Sequence, residues 1–230
     1  MNKIVTDEEW FAQRRAFLAE EKSFQAQRDA IAARRQALPW RRIHSEYVFA
    51  TDDGPQTLPE LFGAATQLIV YHFMFHPDWE EGCKSCSFWA DSYDGAVAHL
   101  KARDVALVAV SRAPLEKLLA YRQRLGWNFS WVSSAGNSFN HDFGVSFTAE
   151  EIEAGTASYN YKEGGVTIEE LPGISVFIRD GDKVFHTYST YARGLDPYNG
   201  AYQLLDIVPK GRNEQDLPYP QDWVRRRDKY

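Results

Sequence analysis

Gln67-Leu-Ile-Val-Tyr-His-Phe-Met-Phe75 runs into His76-Pro-Asp-Trp-Glu-Glu-Gly82 and then into Cys83-Lys-Ser-Cys86. The first segment is a nearly unbroken apolar run, the pattern of a central strand covered on both faces, and Leu68 to Phe75 is the predicted strand. The second is a short polar loop. The third precedes a stretch, Ser87 to Arg103, that predicts a helix. Two thiols therefore stand where a strand hands over to the first turn of a helix. Unsatisfied N–H groups and the positive end of the macrodipole favour an anion there. A thiolate is such an anion, and it is the reactive form of cysteine. Cys83 is the expected nucleophile. Cys86, three residues on, is within reach to close a disulfide. The chain has only these two cysteines, so any thiol chemistry is concentrated here.

Downstream, Val105-Ala-Leu-Val-Ala-Val110 is a second buried strand, followed by Ser111-Arg-Ala-Pro114. Pro114 suits a helix's first turn, and the helix continues through Leu118, Leu119, Tyr121 and Leu125 to a stop at Gly126. Phe129 to Ser133 is a third strand. Strand, helix, strand, helix, strand implies right-handed crossovers and a parallel sheet. Asn137 to Gly165, rich in Asn, Gly and Glu, predicts a long surface excursion with one short helix at 148–154. Ile174–Arg179 and Lys183–Tyr188, joined through Asp180-Gly181, predict a hairpin. Asn199 to Ile207 predicts a last helix, and Pro209 to Tyr230 an extended surface tail.

Upstream, Tyr47–Ala50 reads as a short strand, Asp52-Asp-Gly-Pro55 as a turn and Leu58–Gly63 as a helical turn. Thr6-Asp-Glu-Glu9 has the form of a capping box. It opens a helix with no Gly or Pro from Trp10 to Ala37, ended by Pro39. Trp10, Phe17, Leu18, Phe24 and Ile31 form one stripe at helical spacing, expected to pack on the domain or on a second subunit. The organisation read from this is a helical extension over 1–40, a domain over 41–210, and a tail over 211–230 packed on that domain.

The 230 residues carry 44% hydrophobic and 25% charged side chains, the balance of an ordinary globular protein. A net charge of −6 argues against nucleic-acid binding through phosphates. No apolar run approaches the ~20 residues that span a bilayer, so no membrane is expected. The N-terminus lacks the apolar core of a signal peptide, which predicts a cytoplasmic protein. A structural disulfide is out of place in that compartment, and a CxxC pair near βαβ patterning reads as redox-active. The layout as a whole is a thioredoxin-like three-layer α/β/α sandwich.

Tyr71-His-Phe-Met-Phe75, Gly82-Cys-Lys-Ser-Cys-Ser87, Ser111-Arg-Ala-Pro-Leu-Glu116, Trp131-Val-Ser-Ser134, Pro172-Gly-Ile-Ser-Val-Phe177 and His186-Thr-Tyr-Ser-Thr-Tyr-Ala-Arg-Gly194 carry a further likeness. The chain resembles the DUF899 group of thioredoxin-like proteins, described as predicted dithiol-disulfide oxidoreductases. The resemblance implies thiol–disulfide exchange through Cys83 and Cys86. Thioredoxins carry Trp-Cys-Gly-Pro-Cys. Here Gly82 precedes the first cysteine and Lys84-Ser85 lies between the two. At the position of the thioredoxin cis-proline stands Gly173, with Pro172 one residue early.

Around the dithiol, Lys84 and Ser85 at the helix start and His76 in the loop are candidates for tuning the Cys83 proton. A solvated loop histidine is the plainer reading of His76. Arg112, after a strand end, is a candidate for an anionic substrate such as glutathione, with an exposed helix-start arginine as the plainer alternative. Gly173 is a candidate substrate contact. His186, Tyr188, Tyr191 and Arg193 read as packing first, and Asn140, His141 and Asp142 as part of a lid. Arg225-Arg-Arg227 reads as a solvated face or subunit contact. Cys83, Cys86, His72 and His76 have the softness of zinc ligands, but no second CxxC accompanies them, and no metal or cofactor is expected. A peroxiredoxin-like peroxidase is an alternative suggested by Asp78-Trp79. Against it, Glu80 stands three residues before Cys83, where a Thr or Ser is expected, and an ionised carboxylate cannot donate. A redox-inert binding domain is the alternative of a different class. The expected partner is a small-molecule or protein thiol or disulfide, and the long N-terminal helix leaves a homodimer open.

Overall fold

The computed structural model describes residues 2–230, which divide into two units, one ending at Pro39 and one beginning at Trp40. The first is built on α1 (Asp7–Gln36). Its capping box forms as the sequence dictates: Thr6 Oγ1 accepts from the Glu9 amide at 3.3 Å, and the Glu9 carboxylate accepts from the Thr6 amide at 3.0 Å. Asp7, Glu8 and Glu9 line the first turn and Arg34 and Arg35 the last, matching the macrodipole. No residue of α1 is buried, and Trp10, Phe17, Phe24 and Ile31 are each more than half exposed.

The second unit is mixed α/β. Its strands are β1 (Arg41–Arg42), β2 (Val48–Thr51), β3 (Gly54–Thr57), β4 (Gln67–His72), β5 (Val105–Ser111), β6 (Ser130–Ser133), β7 (Ser158–Tyr159), β8 (Lys162–Glu163), β9 (Gly173–Asp180) and β10 (Lys183–Tyr191). Its helices are α2 (Lys84–Asp94), α3 (Val97–Lys101), α4 (Leu115–Leu125), α5 (Phe139–Asp142), α6 (Ala149–Ala154) and α7 (Gly200–Leu205). Eight strands form one sheet in the order β1-β10-β9-β4-β5-β6-β2-β3. The central pairs β4–β5 and β5–β6 are parallel, as the crossover pattern requires, and β9 runs antiparallel beside β4.

Strand alternation divides the core. Leu68, Val70, Val108, Val110, Val132 and Phe177 face one way, under Leu61, Phe62, Phe139 and Phe143. Tyr71, Phe73, Ala109 and Trp131 face the other, against Trp89 and Tyr93 of α2, Leu118, Tyr121 and Leu125 of α4, and Tyr202 of α7. Each fully buried aromatic on either side contributes roughly 2–3 kcal/mol of burial free energy. The second cluster is interlocked edge to face, with Phe73 and Trp131 ring centroids 4.5 Å apart.

Several elements differ from their sequence reading. The helix over 87–103 is two helices, because the chain turns at Gly95 and Ala96. Its first begins at Lys84, so Cys83 itself is the N-cap. β4 ends at His72, short of Phe75. The segment 137–165 runs over the surface only in its second part, where the short helix α6 forms as expected after the Thr148 cap; its first part turns inward. Phe139, Phe143, Val145 and Phe147 are buried, and these aromatics outweigh the polar residues between them. The hairpin closes on Gly181-Asp182, one residue later than expected, with Gly181 at φ +57. The C-terminal segment is a series of turns, not an extended tail. Val224 is fully buried and Trp223 packs on the aromatic cluster. Among the described residues no helix is long and apolar enough to cross a membrane.

Candidate active site: the Cys83–Cys86 dithiol

The site follows from how β4 leaves the sheet. After His72 the chain continues as Phe73–Phe75, held to the next strand by Phe73 N–H donating to the Val110 carbonyl at 3.0 Å. The loop then returns, so that the Cys83 amide donates to the Met74 carbonyl at 3.1 Å. This puts the start of α2 beside the end of β4. Gly82, buried, passes over the ring of Phe73: a Cβ there would lie 2.8 Å from Phe73 Cε1. The glycine is required by space.

Cys83, half-buried, caps α2, and its Sγ accepts from the Cys86 amide at 3.4 Å. Cys86 is 2% exposed, and its Sγ accepts from the Met74 amide at 3.4 Å. Both are free thiols. A hydrogen bond from the Cys86 thiol favours the Cys83 thiolate. Main-chain N–H groups of Cys86 and Ser85 and the charge of Arg226 act the same way, against the effect of burial, and the Cys83 pKa falls to about 7. Burial and the neighbouring Cys83 push Cys86 well above the ordinary thiol range. One sulfur is thus held ready as an anion and the other as a proton donor. That asymmetry is what a nucleophile and a resolving thiol need.

The surrounding polar groups are fixed. Tyr71 Oη donates to the Cys86 carbonyl at 3.2 Å. Ser87 Oγ donates to the Cys83 carbonyl at 2.9 Å and lies 3.0 Å from Tyr121 Oη. A cleft of about 800 Å³ opens beside the dithiol. Ser85, Cys86, Met74 and Trp89 line it on one side and Pro172 and residues of the 213–221 segment on another. Its walls mix aromatic and charged groups, a composition that suits a bound ligand.

The sequence-picked residues are distributed as follows. Ser85 lines the cleft. The Lys84 ammonium donates to the Asp222 carbonyl at 3.0 Å, so its charge is turned toward the C-terminal segment. His76 Nε2 sits 3.0 Å from the Glu169 carboxylate, and its Nδ1 accepts from the Asp78 amide at 3.2 Å. Arg112 is engaged by the buried carboxylate of Glu170, Nε to Oε1 at 2.5 Å. Gly173 is buried in the sheet between His72 and Tyr191, where a Cβ would lie 2.7 Å from the Tyr191 ring, and the neighbouring Pro172 faces the cleft. No peptide bond among the described residues is cis. Glu80 is exposed. His72 does not join the thiols: it lies on the opposite sheet face, against Phe139 and Phe143, with Nε2 2.8 Å from Ser175 Oγ. Among the described residues no cluster of three or more His, Cys, Asp or Glu is arranged to hold a metal ion.

Sequence reasoning missed Tyr71, Ser87, Tyr121 and Arg226. The first three carry a usable signal, since a hydroxyl on the core-facing side of a strand or helix must find a partner. Arg226 lies 144 positions beyond the Gly82 carbonyl to which it donates, and no local pattern connects the two.

Comparison with known proteins places the chain in a family. It belongs to the group described as bacterial protein of unknown function (DUF899), whose model matches residues 1–230. No curated protein matches it. Among solved structures it is similar to peroxidoxin BcpB from Mycobacterium tuberculosis, at 12% identity and a TM-score of 0.47 over 73% of this chain and 97% of that one. It is also similar to the bacterioferritin comigratory protein of Xanthomonas campestris, at 11% identity and a TM-score of 0.48 over 73% of this chain and 94% of that one.

Proposed function

We propose that this member of the DUF899 family is a cytoplasmic thiol–disulfide oxidoreductase of thioredoxin-like, three-layer design, acting on a small-molecule or protein disulfide through Cys83 and Cys86. The single observation that carries the reading is the N-cap position of Cys83, with the Cys86 amide directed at its sulfur. An anion held by main-chain donors needs no rearrangement to attack.

In the reductive direction the Cys83 thiolate attacks one sulfur of the substrate. The substrate S–S bond breaks, a mixed disulfide forms, and the first substrate thiolate leaves and takes a proton from solvent. Cys86 then loses its proton and attacks the Cys83 sulfur. The mixed disulfide breaks, the second substrate thiol departs, and two electrons have passed from the dithiol to the substrate. The closed Cys83–Cys86 disulfide is the oxidised form. The second step requires Cys86 to become a thiolate only after the neighbouring negative charge has gone. This agrees with the opposed pKa directions of the pair.

The reading is tested by trapping. Cys86→Ser incubated with a small aromatic disulfide accumulates a mixed disulfide on Cys83, and the wild type turns the same substrate over when dithiothreitol regenerates the dithiol. Cys83→Ser does neither. If all three proteins behave alike, the exchange mechanism is wrong, and a redox-inert binding domain that uses the cleft takes its place.

A further inference from the structure

The C-terminal segment, which the sequence leaves as a solvated basic face, reaches the dithiol. Arg226, one-fifth exposed, spends its whole guanidinium on the loop that leads into Cys83 and on Tyr121 of α4. Its NH2 donates to the Gly82 carbonyl at 2.7 Å, its Nε to Tyr121 Oη at 2.7 Å, and its NH1 pairs with the Glu81 carboxylate at 2.8 Å. Tyr121 Oη lies 3.0 Å from Ser87 Oγ, which donates to the Cys83 carbonyl at 2.9 Å. Tyr121 Oη, which accepts from Arg226, also donates to the Gly82 carbonyl at 3.2 Å, and either hydroxyl can donate in its contact with Ser87. The Gly82 carbonyl is thus held by the cation both directly and through Tyr121, and the Cys83 carbonyl is held by Ser87, which touches the same Tyr121 hydroxyl. A chain of hydrogen bonds that starts at a charged donor is polarised along its length, and a forked guanidinium fixes direction as well as distance.

We propose that Arg226 is a positioning residue for Cys83: it locks the Gly82–Cys83–Lys84 backbone at the start of α2 and keeps a positive charge behind the nucleophilic sulfur. The proposal rests on the dithiol reading and adds to it the part of the chain that completes the site. Arg226 does not line the cleft beside the dithiol. Lys84 reinforces the grip from the other side, through the Asp222 carbonyl. The neighbouring Arg227 points elsewhere, to Asp91 at 3.6 Å, and supplies a matched control for loss of one positive charge.

The test is the pH dependence of Cys83 alkylation by iodoacetamide in the full chain, in wild type and in Arg226→Gln, Arg226→Lys and Arg227→Gln. Arg226→Gln is expected to raise the midpoint by about half a pH unit or more, which near neutrality slows alkylation about twofold or more. Arg226→Lys, which keeps the charge without the fork, recovers part of the difference. Arg227→Gln stays at the wild-type midpoint. The proposal is overturned if Arg226→Gln leaves the midpoint unmoved, or if Arg227→Gln raises it equally. If Arg226→Gln does not fold, Tyr121→Phe removes the hydroxyl that joins Arg226 to the Gly82 carbonyl and to Ser87 while leaving the charge; it is expected to raise the midpoint to a smaller extent, and no movement there overturns the proposal. A wild-type midpoint at the ordinary thiol value is a different result, read without any variant, and it defeats the dithiol reading itself.

Discussion

Met74 is bonded through its main chain to both cysteines: its amide donates to Cys86 Sγ at 3.4 Å, and its carbonyl accepts from the Cys83 amide at 3.1 Å. The strand exit thus sets the separation of the two thiols before any side chain contributes. It gives the buried sulfur one main-chain donor and leaves the other sulfur to the turn of α2. The Cys86 thiol then becomes a donor to Cys83. Replacing Cys86 with Ala removes that donor while the N-cap remains. The Cys83 midpoint in Cys86→Ala is therefore expected to rise from about 7 toward the free-thiol value. Iodoacetamide rates measured across pH give the midpoint, and an unchanged value would mean that main-chain donors alone hold the thiolate.

Gly82 is a second point of leverage. A methyl group there would meet Phe73 Cε1 at 2.8 Å and Phe75 Cδ1 at 3.3 Å, and Phe73 is 1% exposed and wedged against Trp131. The ring has nowhere to go, so the loop must move. Gly82→Ala is expected to cost about 1–3 kcal/mol in urea unfolding, the usual range for overpacking. The displaced Gly82 carbonyl also loses its alignment with Arg226, so the alkylation midpoint rises in the same variant. A stable Gly82→Ala protein with a wild-type midpoint would show that the loop has slack.

These two positions also mark what the sequence discloses. The strand at 67–72 and the one at 105–111 are legible because a strand buried on both faces has to be apolar throughout. α4 is legible because Pro114 and Gly126 punctuate it, and both serve as its caps. The dithiol at a helix entrance is legible from spacing alone. The burial of Phe139 and Phe143 is not, because their segment has the polar composition of a loop and only the sheet face beneath it supplies the partner surface. Nor is Arg226, since a guanidinium bond to a carbonyl 144 residues away leaves no periodic trace. Local chemistry shows in one dimension; contacts made by tertiary return of the chain do not.

His72 and His186 make acid a selective denaturant. Burial, with mutual repulsion as the second cause, lowers His72 to about 3, and burial with the Arg41 charge lowers His186 to about 4. A histidine depressed in the folded state takes up a proton on unfolding. The stability its neutral form supplies is present above the unfolded value near 6.5 and is lost as pH falls from there toward 4 and 3. Urea midpoints are expected to drop between pH 6.5 and 4.5, with about two protons taken up on unfolding from this pair. His72→Phe, placed between Phe139 and Phe143, is expected to remove about half of that drop. An equal drop in wild type and variant would assign the acid sensitivity to other groups.

The Arg112–Glu170 pair sets a contrasting pH signature. Glu170 is 1% exposed, and its carboxylate accepts from Arg112 Nε at 2.5 Å and from Ser146 Oγ at 2.8 Å. Burial raises its pKa, with Arg112 opposing. Arg112→Ala leaves a buried carboxylate with a neutral donor only, at an expected cost of about 2–3 kcal/mol at pH 7.5, given that Arg112 is partly exposed. Glu170→Gln keeps the acceptor oxygen without the charge, and about 1 kcal/mol is expected. The sign with pH separates the two. An acid whose folded pKa lies above its unfolded value contributes stability at low pH that is lost as pH rises through that interval. The Arg112→Ala defect, measured against wild type at each pH, is therefore smaller at pH 4.5 than at pH 7.5, whereas the Glu170→Gln defect, which removes the titrating group itself, runs the other way and is larger at pH 4.5. Equal Arg112→Ala defects at the two pH values would show that Glu170 is already protonated in the wild-type fold and that Arg112 contributes by packing alone.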